Sequence, residues 1–264
     1  MRVRLAVAAT GPFGANILRK VAAGRPVEYL LTRPDRPKGR GQRVAAPAAK
    51  EAAEELGIEV RQPERLAGFV LDVDAVLLVD YGALIPAELL EQALWVNVHP
   101  SLLPRWRGAA PVERAIMSGD TETGVTVIRL AEELDAGPVG AAESFPIGPD
   151  DDAGAVYARA AELAPGLVKR VLEAQQFREQ EGEATYAEKI GPDDRLLDWS
   201  RPPEELHDRI RALSPHIGAR GELHGRSVIV WRSRLGVEGL ELLEVQPEGG
   251  RRMALNEFER GIRR

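Results

Sequence analysis

DAVLLVDYGALIPAELLEQALWVNVH, residues 74–99, contains two short apolar segments with a helical segment between them. Asp74–Asp80 is predicted to be a buried strand, Pro86–Leu94 a helix and Trp95–His99 a second strand. Apolar strands without polar alternation are typical of a parallel sheet that helices cover on both faces. This stretch therefore predicts an α/β fold with a mostly parallel sheet.

The same alternation extends through the first 175 residues. Further strands are predicted at Arg2–Ala9, Val27–Thr32, Gly124–Leu130 and Val139–Phe145, and helices at Ala15–Ala23, Pro47–Leu56, Pro111–Ser118 and Asp151–Gln175. Ligands of such sheets bind at the carboxyl ends of the strands. The loops after Thr32, Val79 and Val98 are therefore the expected positions of a site.

The pattern changes near residue 190, so residues 1–190 are predicted to form the first domain. Residues 191–203 contain three prolines and predict a linker. Residues 204–264 predict a small β-rich domain, with a helix at Glu204–Ala212, a hairpin turn at His224-Gly225 and strands at Glu222–His224, Ser227–Trp231 and Leu240–Val245.

The composition excludes several classes of chemistry. The 264 residues include 35 Lys and Arg, 41 Asp and Glu and no cysteine, and the net charge is -6. Without cysteine there is no disulfide, thiolate nucleophile, zinc–thiolate site or iron–sulfur cluster. No apolar run approaches the ~20 residues of a membrane span, and the first residues lack the pattern of a secretory signal. A cytoplasmic location without membrane association is expected.

One loop departs from the acidic balance. RPDRPKGRGQR, residues 33–43, contains five basic residues and one acidic residue. Such a run is usually a solvated loop, and the alternative is a local contact surface for a polyanion.

The densest cluster of polar and turn-forming residues lies at residues 95–120, WVNVHPSLLPRWRGAAPVERAIMSGD. Asn97 and His99 are two apart on the predicted strand, so their side chains share one face at its carboxyl end. An amide and a protonated imidazole both donate hydrogen bonds, which suits the oxyanion of an acyl transfer.

A histidine in this role needs a carboxylate that orients it. Asp135 in the turn EELDAGPVG is one candidate, and Glu132 and Glu133 are neighbours that spacing alone does not exclude. Ser101 lacks the G-x-S-x-G context of a nucleophile, so direct transfer between two bound substrates is expected. Gly11-x-x-Gly14 predicts a tight turn rather than a dinucleotide site, and no metal is expected.

NVHPSLLPRWRGAAP, residues 97–111, strongly resembles the signature of the folate-dependent formyltransferases. Its Asn-x-His-x-Ser-Leu-Leu-Pro core is similar to the whole family, and Arg-x-Arg-Gly-Ala-Ala-Pro resembles the methionyl-tRNA branch. Seven further segments resemble the same branch, in the same order along the chain: TRPDRPKGRGQ (32–42), DYGALIP (80–86), GDTETGVTV (119–127), ELDAGPV (133–139), TYAEKI (185–190), LLDWSRPPEELHDRIRAL (196–213) and LLEVQPEG (242–249).

The resemblance implies a Rossmann-like formyltransferase domain and a C-terminal OB-like domain. It also implies that the formyl group of 10-formyltetrahydrofolate is transferred to the α-amino group of methionyl-initiator tRNA for translation initiation. The family's Asn–His–Asp set maps onto Asn97, His99 and Asp135. The amine would attack the formyl carbon, Asn97 and His99 would stabilise the oxyanion, and Asp135 would orient His99.

Two binding surfaces follow from the resemblance, and a monomer is expected. Backbone groups of Leu84 and Pro86 would bind the pterin, with Ile85 as an apolar wall. The complete set of residues expected at the folate is Tyr81, Leu84, Ile85, Pro86, Ser101, Leu102, Leu103 and Pro104. The basic loop resembles the family's tRNA-contacting insertion, and the residues expected at the tRNA are Arg36, Lys38, Arg40 and Arg43. Arg105 and Arg107 would either contact phosphate or form ion pairs.

The sequence departs from the family at two places. The first turn is Ala-Thr-Gly-Pro-Phe (Ala9–Phe13), where the family has Gly-Thr-Pro-x-Phe. About forty residues of the OB-like barrel are missing, so a truncated barrel of about three strands is expected. The shortened tail and the acidic balance leave formylation of an amino-sugar nucleotide or glycinamide ribonucleotide as one alternative. The altered first turn leaves a tRNA- or folate-binding protein without catalysis as another.

Overall fold

The computed structural model describes residues 3–38 and 43–262. In chain order the strands are β1 (Leu5–Ala9), β2 (Tyr29–Leu31), β3 (Arg36–Lys38), β4 (Arg43–Ala45), β5 (Glu59–Arg61), β6 (Ala75–Val79), β7 (Leu94–His99), β8 (Arg107–Gly108), β9 (Glu122–Arg129), β10 (Val139–Pro146), β11 (Tyr186–Ala187), β12 (Ala219–Leu223), β13 (Arg226–Gly236), β14 (Gly239–Pro247) and β15 (Met253–Ala254). The helices are α1 (Pro12–Gly24), α2 (Ala48–Glu55), α3 (Ala87–Leu90), α4 (Pro111–Met117), α5 (Ala153–Ala174), α6 (Pro203–Ala212) and α7 (Leu255–Ile262), with a 3₁₀ turn at Asp193–Arg195.

A seven-stranded sheet has the order β10-β9-β7-β6-β1-β2-β5. The five strands from β7 to β5 run parallel, whereas β7 and β9 run antiparallel. The predicted mostly parallel α/β fold is confirmed. The chain extends from β1 through β2 to β5 and then continues on the other side of β1 with β6. The direction of the strand order therefore reverses between β1 and β6, where sheets of this kind form a ligand crevice.

Contacts divide the described residues into two compact units. One is drawn from Met1–Pro104, Gly124–Glu143 and Arg159–Ala184, and the other from Arg105–Thr123, Ser144–Ala158 and Thr185–Arg264. The predicted domain boundary at residue 190 and the linker at 191–203 stay predictions. Within 191–203, Asp194 forms an ion pair of 2.7 Å with Arg114.

The first unit has an apolar core on the sheet. All five residues of β1 are fully buried, as are Leu77 of β6 and Leu89 of α3. The indole N–H of Trp95 donates to the carbonyl of Leu89 at 2.7 Å, so this buried polar group is satisfied. Burying both faces of β6 and β7 fixes the positions of their carboxyl ends.

The predicted helix at Pro86–Leu94 is wrong in extent, because α3 ends at Leu90. The Gln92 side chain accepts the N–H of Leu71 at 2.9 Å, and the N–H of Leu94 donates to the carbonyl of Asp74 at 3.0 Å. These bonds to distant residues replace the helical ones, so the chain enters β7 one residue before the predicted start.

The second unit contains an antiparallel sheet of order β12-β13-β14-β15. The prediction of about three strands is wrong, because Met253 of β15 pairs with Val245 and adds a fourth strand. A two-residue strand has no alternation that a sequence pattern could reveal. The predicted small C-terminal β-rich domain is otherwise confirmed, and the turn at His224-Gly225 has the two positive φ angles of a type I′ hairpin.

In residues 3–38 and 43–262, none of the helices combines the length and the apolar composition that crossing a membrane requires.

Candidate active site

The carboxyl end of β7 carries two buried polar side chains. Asn97 is 8% exposed and His99 is 4% exposed. The Asn97 Nδ2 donates to Asp135 Oδ1 at 3.1 Å, and His99 Nδ1 lies 3.5 Å from Asp135 Oδ2. The structure therefore brings together the three residues that the sequence predicted as a set. The distance of 3.5 Å is long for a charge-assisted hydrogen bond, and such bonds often tighten only when substrate is bound.

The turn that holds Asp135 is fixed by backbone geometry. Asp135 has φ of 53°, a left-handed conformation that Asp tolerates better than most residues. The side-chain amide of Gln180 donates to the carbonyls of Asp135 at 2.7 Å and of Gly137 at 2.8 Å. Glu132 and Glu133, which spacing alone had not excluded, are both exposed.

The loop after β7 is held by one buried hydroxyl. The Thr126 hydroxyl donates to the carbonyl of Ser101 at 2.7 Å and accepts the N–H of Leu103 at 3.1 Å. A Cβ at Gly124 would lie 2.4 Å from Leu102 Cδ2, so this side chain packs directly on the glycine. Ser101 is fully buried, which agrees with its lack of a nucleophile context.

The residues of the loop after β6 that were predicted to bind folate differ in how exposed they are. Tyr81 is buried in the core. Burial raises the pKa of its phenol, and the positive charge of Arg33 lowers that pKa to a smaller extent. Leu84 is 90% exposed, Ile85 packs partly on the core, and Pro86 precedes α3. Leu84 therefore presents an accessible apolar side chain in this loop. The predicted folate contacts in this loop and in the loop after β7 stay predictions.

Asp80 is a carboxylate at this edge that sequence analysis did not single out. It follows β6 directly and has φ of 48°. Its backbone carbonyl accepts the N–H groups of Thr10 at 3.2 Å and Gly11 at 3.4 Å. Desolvation raises the pKa of Asp80 to about 6, although the residue as a whole is exposed. Its position at a strand end, within DYGALIP, is the signal that could have identified it.

The basic loop forms a short hairpin of β3 and β4, in which Arg36 pairs with Ala45. Arg36 is exposed, and Arg40 lies outside the described residues. Lys38 and Arg43 are also paired by backbone in this hairpin. The four predicted tRNA contacts stay predictions.

Of the two roles predicted for Arg105, phosphate contact or ion pair, the structure shows an ion pair. Its guanidinium donates to Asp120 at 2.6 and 3.0 Å and stacks on the Trp106 ring at 4.6 Å. Among the described residues, no group of three or more His, Cys, Asp and Glu side chains is arranged to hold a metal ion.

The arrangement at β7 suits acyl transfer. An amide N–H and an imidazole are buried side by side, and one carboxylate orients both of them. Preorganised donors in a site with little water stabilise negative charge on a tetrahedral intermediate without reorganising.

Comparisons with known proteins agree with this chemistry. A family model described as formyl transferase matches residues 1–172, and one described as formyl transferase, C-terminal domain, matches residues 189–239. The chain belongs to the formyl transferase family, so the predicted family and enzyme class are confirmed. Several of its relatives are named methionyl-tRNA formyltransferase.

Two of these relatives show the extent of the match. The protein of Methylococcus capsulatus is 36% identical over 297 residues, which cover 97% of this chain and 96% of that protein. The protein of Heliobacterium modesticaldum is 40% identical over 255 residues, which cover 91% of this chain and 81% of that protein. Because 97% of a 264-residue chain supplies at most about 256 of the 297 positions, about forty positions have no residue here.

A solved structure supports the fold. Methionyl-tRNA formyltransferase from Clostridium thermocellum has a TM-score of 0.67 and 16% identity, with 93% of this chain and 99% of that chain covered. The predicted formyltransferase fold is therefore confirmed.

Proposed function

We propose that this chain transfers the formyl group of 10-formyltetrahydrofolate to the α-amino group of methionyl-initiator tRNA. The observation that carries the proposal is the buried contact of Asn97 and His99 with Asp135 at the end of β7. Relatives that share 36–40% identity over nearly the whole chain bear the name of this activity.

Each residue of the site has a separate role in one acyl transfer. The amine nitrogen bonds to the formyl carbon, and the carbonyl oxygen gains negative charge. Asn97 Nδ2 and a protonated His99 ring donate to that oxygen, while Asp135 holds both donors in position. The bond to the folate nitrogen N10 then breaks, and N10 leaves with the proton that the amine nitrogen loses. Ser101 takes no covalent part.

Two surfaces serve the two substrates in this proposal. Folate binds along the loops after β6 and β7, through Tyr81, Leu84, Ile85, Pro86, Ser101, Leu102, Leu103 and Pro104. The tRNA acceptor end contacts Arg36, Lys38, Arg40 and Arg43, because phosphates bind cationic side chains. The protein acts as a cytoplasmic monomer and uses no metal.

One assay tests the proposal. Purified protein is mixed with 10-formyltetrahydrofolate and either charged initiator tRNA, free methionine with uncharged tRNA, or an amino-sugar nucleotide, and the formylated product is measured. Product only with charged initiator tRNA, and its strong decrease in His99→Ala, are expected. Formylation of the sugar nucleotide alone would replace the proposal with the alternative motivated by the shortened chain, and no product with any acceptor would refute transferase activity.

A further inference from the structure

The turn that carries Asp135 has little packing on its amino-terminal side. The three residues before Asp135 are all exposed: Glu132, Glu133 and Leu134. The backbone bond from the N–H of Ala136 to the carbonyl of Glu133 is long, at 3.3 Å. Asp135 itself has φ of 53°, and a residue other than glycine keeps such a conformation only where surrounding contacts impose it. The direction of the Asp135 carboxyl group therefore depends on contacts from outside the turn.

Gln180 supplies such contacts. A glutamine amide carries two N–H groups on one planar nitrogen, and Nε2 of Gln180 donates to the carbonyl of Asp135 at 2.7 Å and to the carbonyl of Gly137 at 2.8 Å. Both bonds are shorter than the turn's own bond at Ala136. Because the two carbonyls lie on either side of residue 136, one side chain fixes the backbone at both ends of that residue.

The segment that carries Gln180 is itself anchored beside the turn. Arg178 and Val139 exchange two backbone bonds, in which the N–H of Val139 donates at 2.7 Å and the N–H of Arg178 at 2.9 Å. This pair is antiparallel, so the position two residues after Arg178 faces the position two residues before Val139. Those positions are Gln180 and Gly137, and the bond between them agrees with this register. The amide is therefore held in place independently of its own two bonds.

The Asp135 carboxyl group connects this amide to the catalytic set. Its Oδ1 accepts from Asn97 Nδ2 at 3.1 Å, and its Oδ2 lies 3.5 Å from His99 Nδ1. The side chains of His99 and Asp135 are both buried. At 3.5 Å the contact with His99 is at the outer limit of a hydrogen bond, so a small rotation of the turn would break it.

We propose that Gln180 is a positioning residue for formyl transfer. Its amide holds the backbone of the turn so that one carboxyl group, that of Asp135, reaches Asn97 and His99 together. Gln180 acts through Asp135 and takes part in no bond that forms or breaks. The proposal rests on the proposed function, because it assigns Gln180 to the reaction in which these three side chains act.

The test compares Gln180→Leu with Gln176→Leu, which makes the same substitution at an exposed position four residues earlier. Leucine is similar in size to glutamine but has no N–H to donate. We expect Gln180→Leu to lower kcat about 10–10²-fold, as is typical when a contact that orients a catalytic side chain is lost. The KM values for folate and for the acceptor should stay constant, and Gln176→Leu should retain the kcat of the wild type.

A double-mutant cycle separates positioning from a general effect on the fold. Asp135→Gly removes the carboxyl group and tolerates the positive φ at this position. If Gln180 acts through that carboxyl group, Gln180→Leu should lower the kcat of Asp135→Gly less than about twofold, whereas independent contributions would multiply. Gln180→Glu keeps the shape of glutamine but cannot donate when it is ionised, so it should be impaired in the same way and carries the comparison if Gln180→Leu does not fold.

Two results would overturn the role of Gln180. One is a folded Gln180→Leu or Gln180→Glu protein with the kcat of the wild type. The other is a loss of kcat of equal size with and without the Asp135 carboxyl group, which would show a structural effect only. A wild type without any formyl transfer would instead refute the proposed function.

Discussion

Gly137 is the residue whose replacement most directly tests the geometry of the Asp135 turn. A Cβ built at Gly137 would lie 1.8 Å from the carbonyl oxygen of Arg129. Ordinary contacts of a Cβ begin at 3.4 Å, so Gly137→Ala requires backbone to move by more than 1 Å. The turn cannot move alone, because Gln180 binds the carbonyls on both sides of residue 136.

The expected effects have two separate magnitudes. Overpacking costs about 1–3 kcal/mol, and a clash of backbone with Cβ lies at the upper end, about 3 kcal/mol. For a chain of this size that decrease lowers Tm by about 6–12 °C. The loss of kcat should be larger than the loss of folded protein alone would cause, because His99 Nδ1 and Asp135 Oδ2 are already 3.5 Å apart. A displacement of 1 Å at such a contact lowers kcat about 10²-fold.

The measurement combines thermal unfolding with the formyl-transfer assay at a temperature where both proteins are folded. Gly166→Ala in α5 is the matched control, since nothing lies within 4 Å of the added Cβ. This control should raise stability by about 0.5–1 kcal/mol and leave kcat unchanged. A Gly137→Ala protein with the Tm and kcat of the wild type would refute the account of the turn.

Three further predictions concern single contributions to activity and stability. His99→Ala should lower kcat about 10²–10³-fold with little change in folate affinity, as measured by steady-state kinetics and equilibrium binding, and a near-normal kcat would remove His99 from oxyanion stabilisation. Charge reversal of Arg36 and Lys38 should raise the KM for tRNA and reduce its salt dependence while the KM for folate stays constant, and an unchanged salt slope would contradict the phosphate contacts. The pKa of Asp80 is about 6 when folded and about 3.9 when unfolded, so deprotonation destabilises the fold as pH rises through this window. Asp80→Asn should therefore have a higher Tm than the wild type at pH 7 but an equal Tm at pH 4, and equal Tm values at both would show that Asp80 is not desolvated.

The residues at β7 could be predicted because local pattern determines them. An apolar strand ending in Asn-x-His places Asn97 and His99 on one face, and the structure has them there. Asp135 needed the family resemblance, since Glu132 and Glu133 have equivalent spacing. The left-handed backbone at Asp135 directs its carboxyl group to His99, and no local sequence rule specifies that direction.

The supporting contacts could not be predicted, because they join distant parts of the chain. Thr126 bonds to residues about 25 positions away, and Gln180 bonds to a turn 45 positions before it. Neither contact has a period or a motif. Asp80 was not singled out for a different reason. Its position at a strand end is evident from the sequence, but its desolvation depends on how β1, β6 and Gly11 pack.

The bonds from Gln180 also place a condition on when the protein becomes active during its synthesis. Every residue of the Asn97–His99–Asp135 set is made before residue 136, whereas the side-chain amide that binds the carbonyls of Asp135 and Gly137 belongs to residue 180. A nascent chain that exposes only residues 1–150 therefore carries all three side chains but lacks the Gln180 amide that holds their turn.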